Sequence, residues 1–258
     1  MRVSQAYIQA FTSQLETLNK QAGRVIVSET AKLDLEKALI ESDDYAFEEV
    51  IKLMNRLVPG YSRLSSALTC HFYDGIRDAA GVPGEFKAEV YETMDKKQLT
   101  AAARKIAEEV EQGRNTKPLG ELLADENTYW TRRASNETVR RNAKRDPSRP
   151  KYAIVPGVGA CAFCLMRASN GYVYPDQTSV ESHKNCNCQA VQVYGNGTIQ
   201  GYDPDAYAEQ YYNAKEAWLR GDVSDDLLNR IADAESRNPN FDETNAILMV
   251  WREQQGIK

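Results

Sequence analysis

Four of the five cysteines and one of the two histidines in this 258-residue chain fall between residues 161 and 188. They run Cys161-x2-Cys164, eighteen intervening residues, then His183-x2-Cys186-x-Cys188. Thiolate and imidazole are the donors of a tetrahedral Zn2+ centre, which takes them as two close pairs separated by a dozen or more residues. Five candidates compete for four places. Cys161 and Cys164 are the firm half. His183 with Cys186 or Cys188 is the preferred second half, and a four-sulfur site without His183 is the alternative. In an extended segment Cys186 and Cys188 point to the same side, so spacing does not choose between them. Four protein donors leave no open position, which makes such a Zn2+ structural. Disulfides, simple burial and a redox pair are the competing readings. A redox pair needs a strand before it and a helix after it in a βαβ unit, which the Pro156-Gly157-Val158-Gly159 approach does not suggest.

Other chemistry finds little support. Cys70 and His71 are neighbours, which diverge by about 100° on a helix, so they do not readily share an ion. With Leu68, Phe72 and Ile76 nearby, His71 reads as a core or boundary histidine. The chain has no Gly-x-Ser-x-Gly elbow, His-Glu-x-x-His helix, phosphate loop or Gly-x-Gly-x-x-Gly turn after a strand. The acid pairs Asp43-Asp44, Glu108-Glu109 and Asp225-Asp226 read as solvated helix starts or faces. Ser182 beside His183 is adjacency, not catalytic geometry. A non-enzymatic protein is the expectation, and no small-molecule substrate is evident.

Charge is unevenly placed. The chain carries 32 Lys+Arg against 37 Asp+Glu, a net of −5, which argues against a wholesale nucleic-acid coat. Residues 132–151 nevertheless hold 8 basic and 2 acidic groups, whereas residues 201–258 hold 6 and 12. Arg133, Arg140, Arg141 and Lys144 recur at helical steps and Arg145 follows them. One helix face would gather several for DNA phosphates or an acidic protein surface, with a solvated helix end as the ordinary alternative.

These groups need elements to hold them. Val3, Tyr7, Phe11, Leu15, Leu18 and Ala22 form an apolar stripe at three- and four-residue steps. A second helix, with Tyr45, Val50, Met54 and Leu57, is expected over about 43–58, stopping at Pro59-Gly60. A third carries Tyr61, Leu64, Leu68, Phe72 and Ile76, and a fourth carries Leu99, Ala102, Ala103, Ile106 and Val110 up to Gly113. A fifth, long one runs from near Thr116 to Asp146-Pro147. Short strands are expected at residues 152–155, 171–174 and 190–194, bracketing the cysteines. Asp203 with Pro204 opens a further helix, and Ser224 and Asp242 cap two more. No apolar run is long enough to span a membrane. The polar-faced start lacks the continuous apolar stretch of a signal peptide, which suggests a cytosolic origin and reduced thiols.

The fold class is thus mainly α. A helical N-terminal region (1–127) precedes a basic helix with a small zinc-stabilised α+β module (128–200), and an acidic helical tail (201–258) follows. In that order, VPGVGACAFCLMRASNGYVY, HKNCNCQAVQVY and GYDPDAYAEQYYNA resemble the Mu F-like minor head proteins of tailed bacteriophages, in the branch common among actinobacterial phages. The close match covers about residues 128–215. The resemblance implies a minor capsid or head-morphogenesis protein, assembled in the bacterial host cytoplasm and located inside the capsid. It implies portal, major capsid or scaffold proteins and DNA as partners. Some relatives carry a capsid maturation protease label, which is one alternative. A zinc-dependent nucleic-acid-binding module is another.

Overall fold

The structure, a computed structural model, describes residues 1–33, 43–91, 94–176, 183–184 and 186–257. Mainly helical as expected, it contains among these residues eight helices and four short strands. Helix α1 (Gln5–Thr30) begins where the Ser4 hydroxyl accepts a hydrogen bond from the Tyr7 amide, an N-cap. Its buried stripe is Ile8, Phe11, Leu15, Asn19, Ala22 and Ile26. Tyr7, expected in that stripe, is 41% exposed and stacks on Phe72 at the helix edge, with ring centroids 5.3 Å apart.

Helix α2 spans Asp43–Ala79 and runs unbroken through Pro59. The expected stop at Pro59-Gly60 is therefore incorrect, and the second and third expected helices are one. A proline inside a helix costs about 3 kcal/mol. Here both halves are held by tertiary burial. Val50, Met54 and Val58 enter one core cluster, and Phe72 and Ile76 another. Tyr45 and the Asp43-Asp44 pair lie outside the described side chains. Helix α3 (Lys96–Glu111) starts on the Asp95 side chain, which accepts from the Lys97 and Gln98 amides, and buries Leu99, Ala103 and Ile106.

Helix α4 (Leu119–Arg145) is the axis of the molecule. The bundle helices α1, α2 and α3 pack against it, and so do strands β2 (Lys151–Val155) and β3 (Gln189–Val193). Surrounded in this way, α4 buries Asn127, Thr131, Arg132, Ser135, Asn136, Thr138 and Asn142 besides its apolar residues. Buried polar groups need partners. The Ser65 hydroxyl of α2 donates to the Thr131 carbonyl at 2.7 Å, and Thr69 donates to Ser135 at 2.9 Å. Asn142 exchanges two 2.9 Å bonds with the backbone of Glu89, pinning the strap that precedes α3.

Strands β2 and β3 are antiparallel, Tyr152 opposite Gln192 and Val155 opposite Gln189. The expected strand at 171–174 is reduced to one bridge, in which Val173 and Tyr152 exchange two 2.9 Å bonds. At the N-terminus, β1 (Arg2–Val3) pairs in parallel with β4 (Thr198–Ile199). One core cluster joins Phe11, Leu15, Phe72 and Ile76 of the bundle to Ala153, Val191 and Val193 of the sheet. Packing is thus continuous across residues 127–128, which lie within α4.

Helix α5 (Ala162–Ala168) follows β2. Three more helices complete the chain: α6 (Pro204–Arg220), α7 (Asp225–Arg237) and α8 (Glu243–Gln255). Asp203, Ser224 and Asp242 cap them as their sequence positions suggest. Ala162 of α5 sits in one core with Ala214, Leu227, Ile231, Ile247 and Trp251. The acidic tail therefore buttresses the helix that carries Cys161 and Cys164.

Candidate metal centre

Cys161 is the N-cap residue of α5 and Cys164 lies one turn on, so both sulfurs emerge at the same helix end. A helix does follow the pair, contrary to the reading of the Pro156–Gly159 approach. The strands on either side are antiparallel, however, so the surroundings are not a βαβ unit. All five cysteines are free thiols.

His183 reaches this end from the other side. Its Nε2 lies 3.2 Å from Cys161 Sγ and 3.0 Å from Cys164 Sγ. Its Nδ1 lies 2.7 Å from the Lys184 carbonyl oxygen. An Nδ1–H donated to that oxygen would, in the neutral ring, leave the Nε2 lone pair facing the two sulfurs, the tautomer a metal-bound histidine needs. The Phe163 ring stands edge-on to the imidazole, 5.4 Å between centroids. Cys186 Sγ is 3.4 Å from Cys164 Sγ.

The donors form two overlapping sets, Cys161/Cys164/His183 and Cys164/Cys186/Cys188, each with its donor atoms within 4.8 Å of one another. Cys164 belongs to both. All five predicted residues are thus brought together. Around one tetrahedral Zn2+ at Zn–S distances near 2.3 Å, neighbouring donors sit roughly 3.7 Å apart, so the contacts at Cys164 need to open only slightly. Cys164, Cys186 and Cys188 are buried, whereas Cys161 is half-buried.

The crowding redistributes protons. The Cys164 thiol, by hydrogen bonding, and then His183 pull Cys161 down to about 4. Cys164 is pushed up by its contacts with Cys161, Cys186 and Cys188 and by burial. Contact with Cys161 lifts His183 to about 9. Cys164 and Cys188 together draw Cys186 down to about 2. Thiolate and neutral imidazole are the states a metal ligand requires, so a metal entering here would displace the proton that His183 Nε2 shares with Cys161.

Helix α4 supports the centre through residues that a search for ligands overlooks. Asn136 Nδ2 donates to the Cys188 carbonyl at 3.2 Å, and its Oδ1 accepts from the Ala190 amide at 2.8 Å. Arg132, only 9% exposed, faces the electrostatic field of Cys186 and Cys188 as well as Glu16. Lys184, in the segment between His183 and Cys186, pairs with the 2%-exposed side chain of Glu126 at 2.7 Å. The available signal was the recurrence of polar residues at three- and four-residue steps along α4.

The five basic residues singled out for a partner, Arg133, Arg140, Arg141, Lys144 and Arg145, all have intramolecular partners. Arg133 bonds Gln98 at 3.2 Å and lies over the Trp130 ring. Arg140 and Arg141 converge on Glu137, and Arg140 also donates to the Pro175 carbonyl at 3.3 Å. Lys144 pairs with Asp176 at 2.8 Å, and Arg145 with Glu89 at 2.7 Å. Part of this charge therefore fastens residues 175–176, which lead toward His183. Glu137 holds its proton less tightly than an ordinary carboxyl: burial raises it, but the hydrogen bonds from Arg140 and Arg141 outweigh burial. His71 is exposed, correcting the expectation of a core or boundary histidine, while its neighbour Cys70 is buried. Ser182 lies outside the described residues.

The loop before α5 tests how tightly the site is assembled. A Cβ added at Gly157 would lie 2.5 Å from the Asn187 side chain and 2.6 Å from its carbonyl oxygen. Asn187, between the last two cysteines, donates to the Val158 carbonyl at 2.7 Å. Gly157→Ala is expected to destabilise the protein by about 1–3 kcal/mol, because a backbone oxygen cannot swing away. Urea denaturation checks this, and a variant as stable as wild type would show that the loop yields.

A mainly helical fold with, among the described residues, a part-buried Cys/His cluster and no helix long and apolar enough to cross a membrane defines the class. At a finer level, the chain matches the family model of the VG15 protein over residues 2–214 and belongs to that family, a group of viral (phage) gene proteins. The matched span covers the bundle, the whole Cys/His cluster and the first part of α6. No curated protein and no solved structure matches the chain.

Proposed function

We propose that this phage protein is a minor head-morphogenesis component whose Cys/His cluster holds a structural Zn2+. The observation that carries the metal reading is the convergence of soft donors on Cys164, with His183 Nδ1 occupied by the Lys184 carbonyl and Nε2 turned to the sulfurs. Sulfur with one imidazole suits Zn2+ better than Mg2+ or Ca2+, which take oxygen. Family membership and the Mu F-like order of motifs support the head role. When bound, Zn2+ would supply cross-linking, tying α5 to the segment before β3. The surrounding strands have five residues each, so metal binding would contribute folding free energy there.

The portal is the first-choice partner, and the location is inside the head. Direct DNA binding by α4 is less favoured, because Arg133, Arg140, Arg141, Lys144 and Arg145 already serve Gln98, Glu137, Asp176 and Glu89. A maturation protease is the alternative. Against it stands the position of His183, whose two ring nitrogens face the sulfurs and a backbone carbonyl.

Mass spectrometry of purified phage particles, combined with metal quantification on the purified chain, tests the proposal. The chain is expected in the particle at few copies, with about one zinc per chain. Absence from particles would remove the head role. Capsid-protein cleavage on co-expression, abolished by one substitution that leaves zinc bound, would establish the protease instead.

A further inference from the structure

Resting on the metal reading above, we infer that Cys186, and not Cys188, is the fourth ligand beside Cys161, Cys164 and His183. Cys188 serves the centre through its backbone. Three observations separate two cysteines that sequence spacing leaves equivalent. Cys186 Sγ makes the 3.4 Å contact with Cys164 Sγ, the donor common to both sets. Cys186 Sγ also accepts a hydrogen bond from the Cys188 amide at 3.4 Å. An N–H aimed at a thiolate stabilises its charge, as hydrogen bonds to ionised acceptors do, so the backbone of Cys188 prepares the sulfur of Cys186.

The third observation concerns what fixes Cys188 itself. Its carbonyl accepts from Asn136, and the residue two further on donates to the same side chain. Cys188 is therefore locked to α4 at the entry to β3, only 2% exposed, and its thiol packs in a small cluster with Cys164 and Cys186. Moving Cys188 Sγ toward His183 would draw on the Asn136 clamp. Cys186 precedes the clamp, and its amide donates to the His183 carbonyl at 3.2 Å, which holds it beside the histidine ligand.

Cobalt substitution and chelator competition test the assignment on the full-length chain. Wild type loaded with Co2+ is expected to show the absorption of three thiolates and one imidazole. Cys188→Ala and the shape-matched Cys188→Val are expected to bind one Co2+ with that same spectrum and an affinity within about tenfold of wild type, the lower range for losing a supporting contact. Cys186→Ala is expected to lose more than about 100-fold in affinity. Retained binding in Cys186→Ala with loss in both Cys188 variants would overturn the assignment. So would a four-thiolate spectrum in wild type, which needs no variant to fold. Wild type that takes up no metal at all would instead bring down the metal reading itself.

Discussion

Replacing Asp146 with Ala is expected to lower the stability of the protein by about 3–5 kcal/mol, because it leaves a buried guanidinium without its counter-charge. Asp146 ends α4, and its side chain is fully shielded from solvent. Its Oδ2 accepts from Arg77 Nε at 3.2 Å, from Tyr73 at 3.2 Å and from Tyr194 at 3.1 Å. Its Oδ1 accepts the Ser148 amide at 3.0 Å and the Ser148 hydroxyl at 2.7 Å. One carboxylate thereby ties α2, α4 and the end of β3 together. Arg77, itself 5% exposed, keeps the backbone carbonyls of Val82, Pro83 and Gly84 and the face of the Phe86 ring once the acid is gone, but no counter-charge from Asp146. A loss of this size is a large share of the roughly 5–15 kcal/mol that holds a typical domain folded.

The same group sets a pH signature. Burial raises the Asp146 carboxyl, but Ser148, Arg77 and Tyr194 outweigh burial and hold it below the usual carboxylate range. A carboxyl with a depressed folded-state pKa stabilises the fold fully above its unfolded value, near 3.9. That stabilisation fades as pH falls through the folded-state value. The gap between wild type and Asp146→Ala is thus expected to be wide at pH 7 and to narrow below about pH 4. Urea denaturation at several pH values reads it directly. A gap that stays constant down to strong acid would show that shape, not charge, is what Asp146 provides.

The helices that expose one face are legible in the sequence, because burial on one side leaves a periodic trace. Leu99, Ala103 and Ile106 mark α3 correctly, and Phe11, Leu15 and Ala22 mark α1. Helix α4 leaves a fainter trace. It packs on the bundle and the sheet together, and the close approach is made through Ser135, Thr131 and Asn136, residues that read as surface when taken singly. Pro59 misleads for a related reason. The rule that proline breaks helices weighs local cost, whereas Val50, Val58, Phe72 and Ile76 on either side are held by distant partners. The Cys/His cluster was legible because donors are rare and their spacing is chemical. What spacing leaves open depends on contacts between distant residues, which no spacing encodes: Lys184 with Glu126, Asn136 with Cys188, Arg140 with Pro175. The basic run along α4 was equally plain, but its use is not a property of the run. Glu137, Asp176 and Glu89 take up much of that charge within the fold.

On the proposed zinc reading, removing the metal, or the donor shared by both halves of the cluster, is expected to have the other large effect. Cys164→Ser replaces a soft sulfur with a harder, poorly ionised hydroxyl at the point where the Cys161/His183 set meets the Cys186/Cys188 set. Free zinc at a thousand times its dissociation constant contributes about 4 kcal/mol to stability. For a chain of this size that is worth roughly 8–16 °C in Tm. Wild type is expected to lose this increment on chelation, and Cys164→Ser to lack it from the start and be indifferent to chelator. That indifference separates the role in metal binding from mere packing, because a cysteine that only filled space would leave both proteins equally sensitive. Hydrogen exchange should show where the loss falls. The Ala162, Leu227 and Trp251 core depends on the placement of α5, and β3 follows directly from Cys188. Protection is therefore expected to drop in β2, β3, α5 and α6. Around Leu99, Met54 and Leu123, which form a separate core within the bundle, it should hold. A uniform loss across all helices would mean that the metal supports the whole fold through α4 rather than this corner of it.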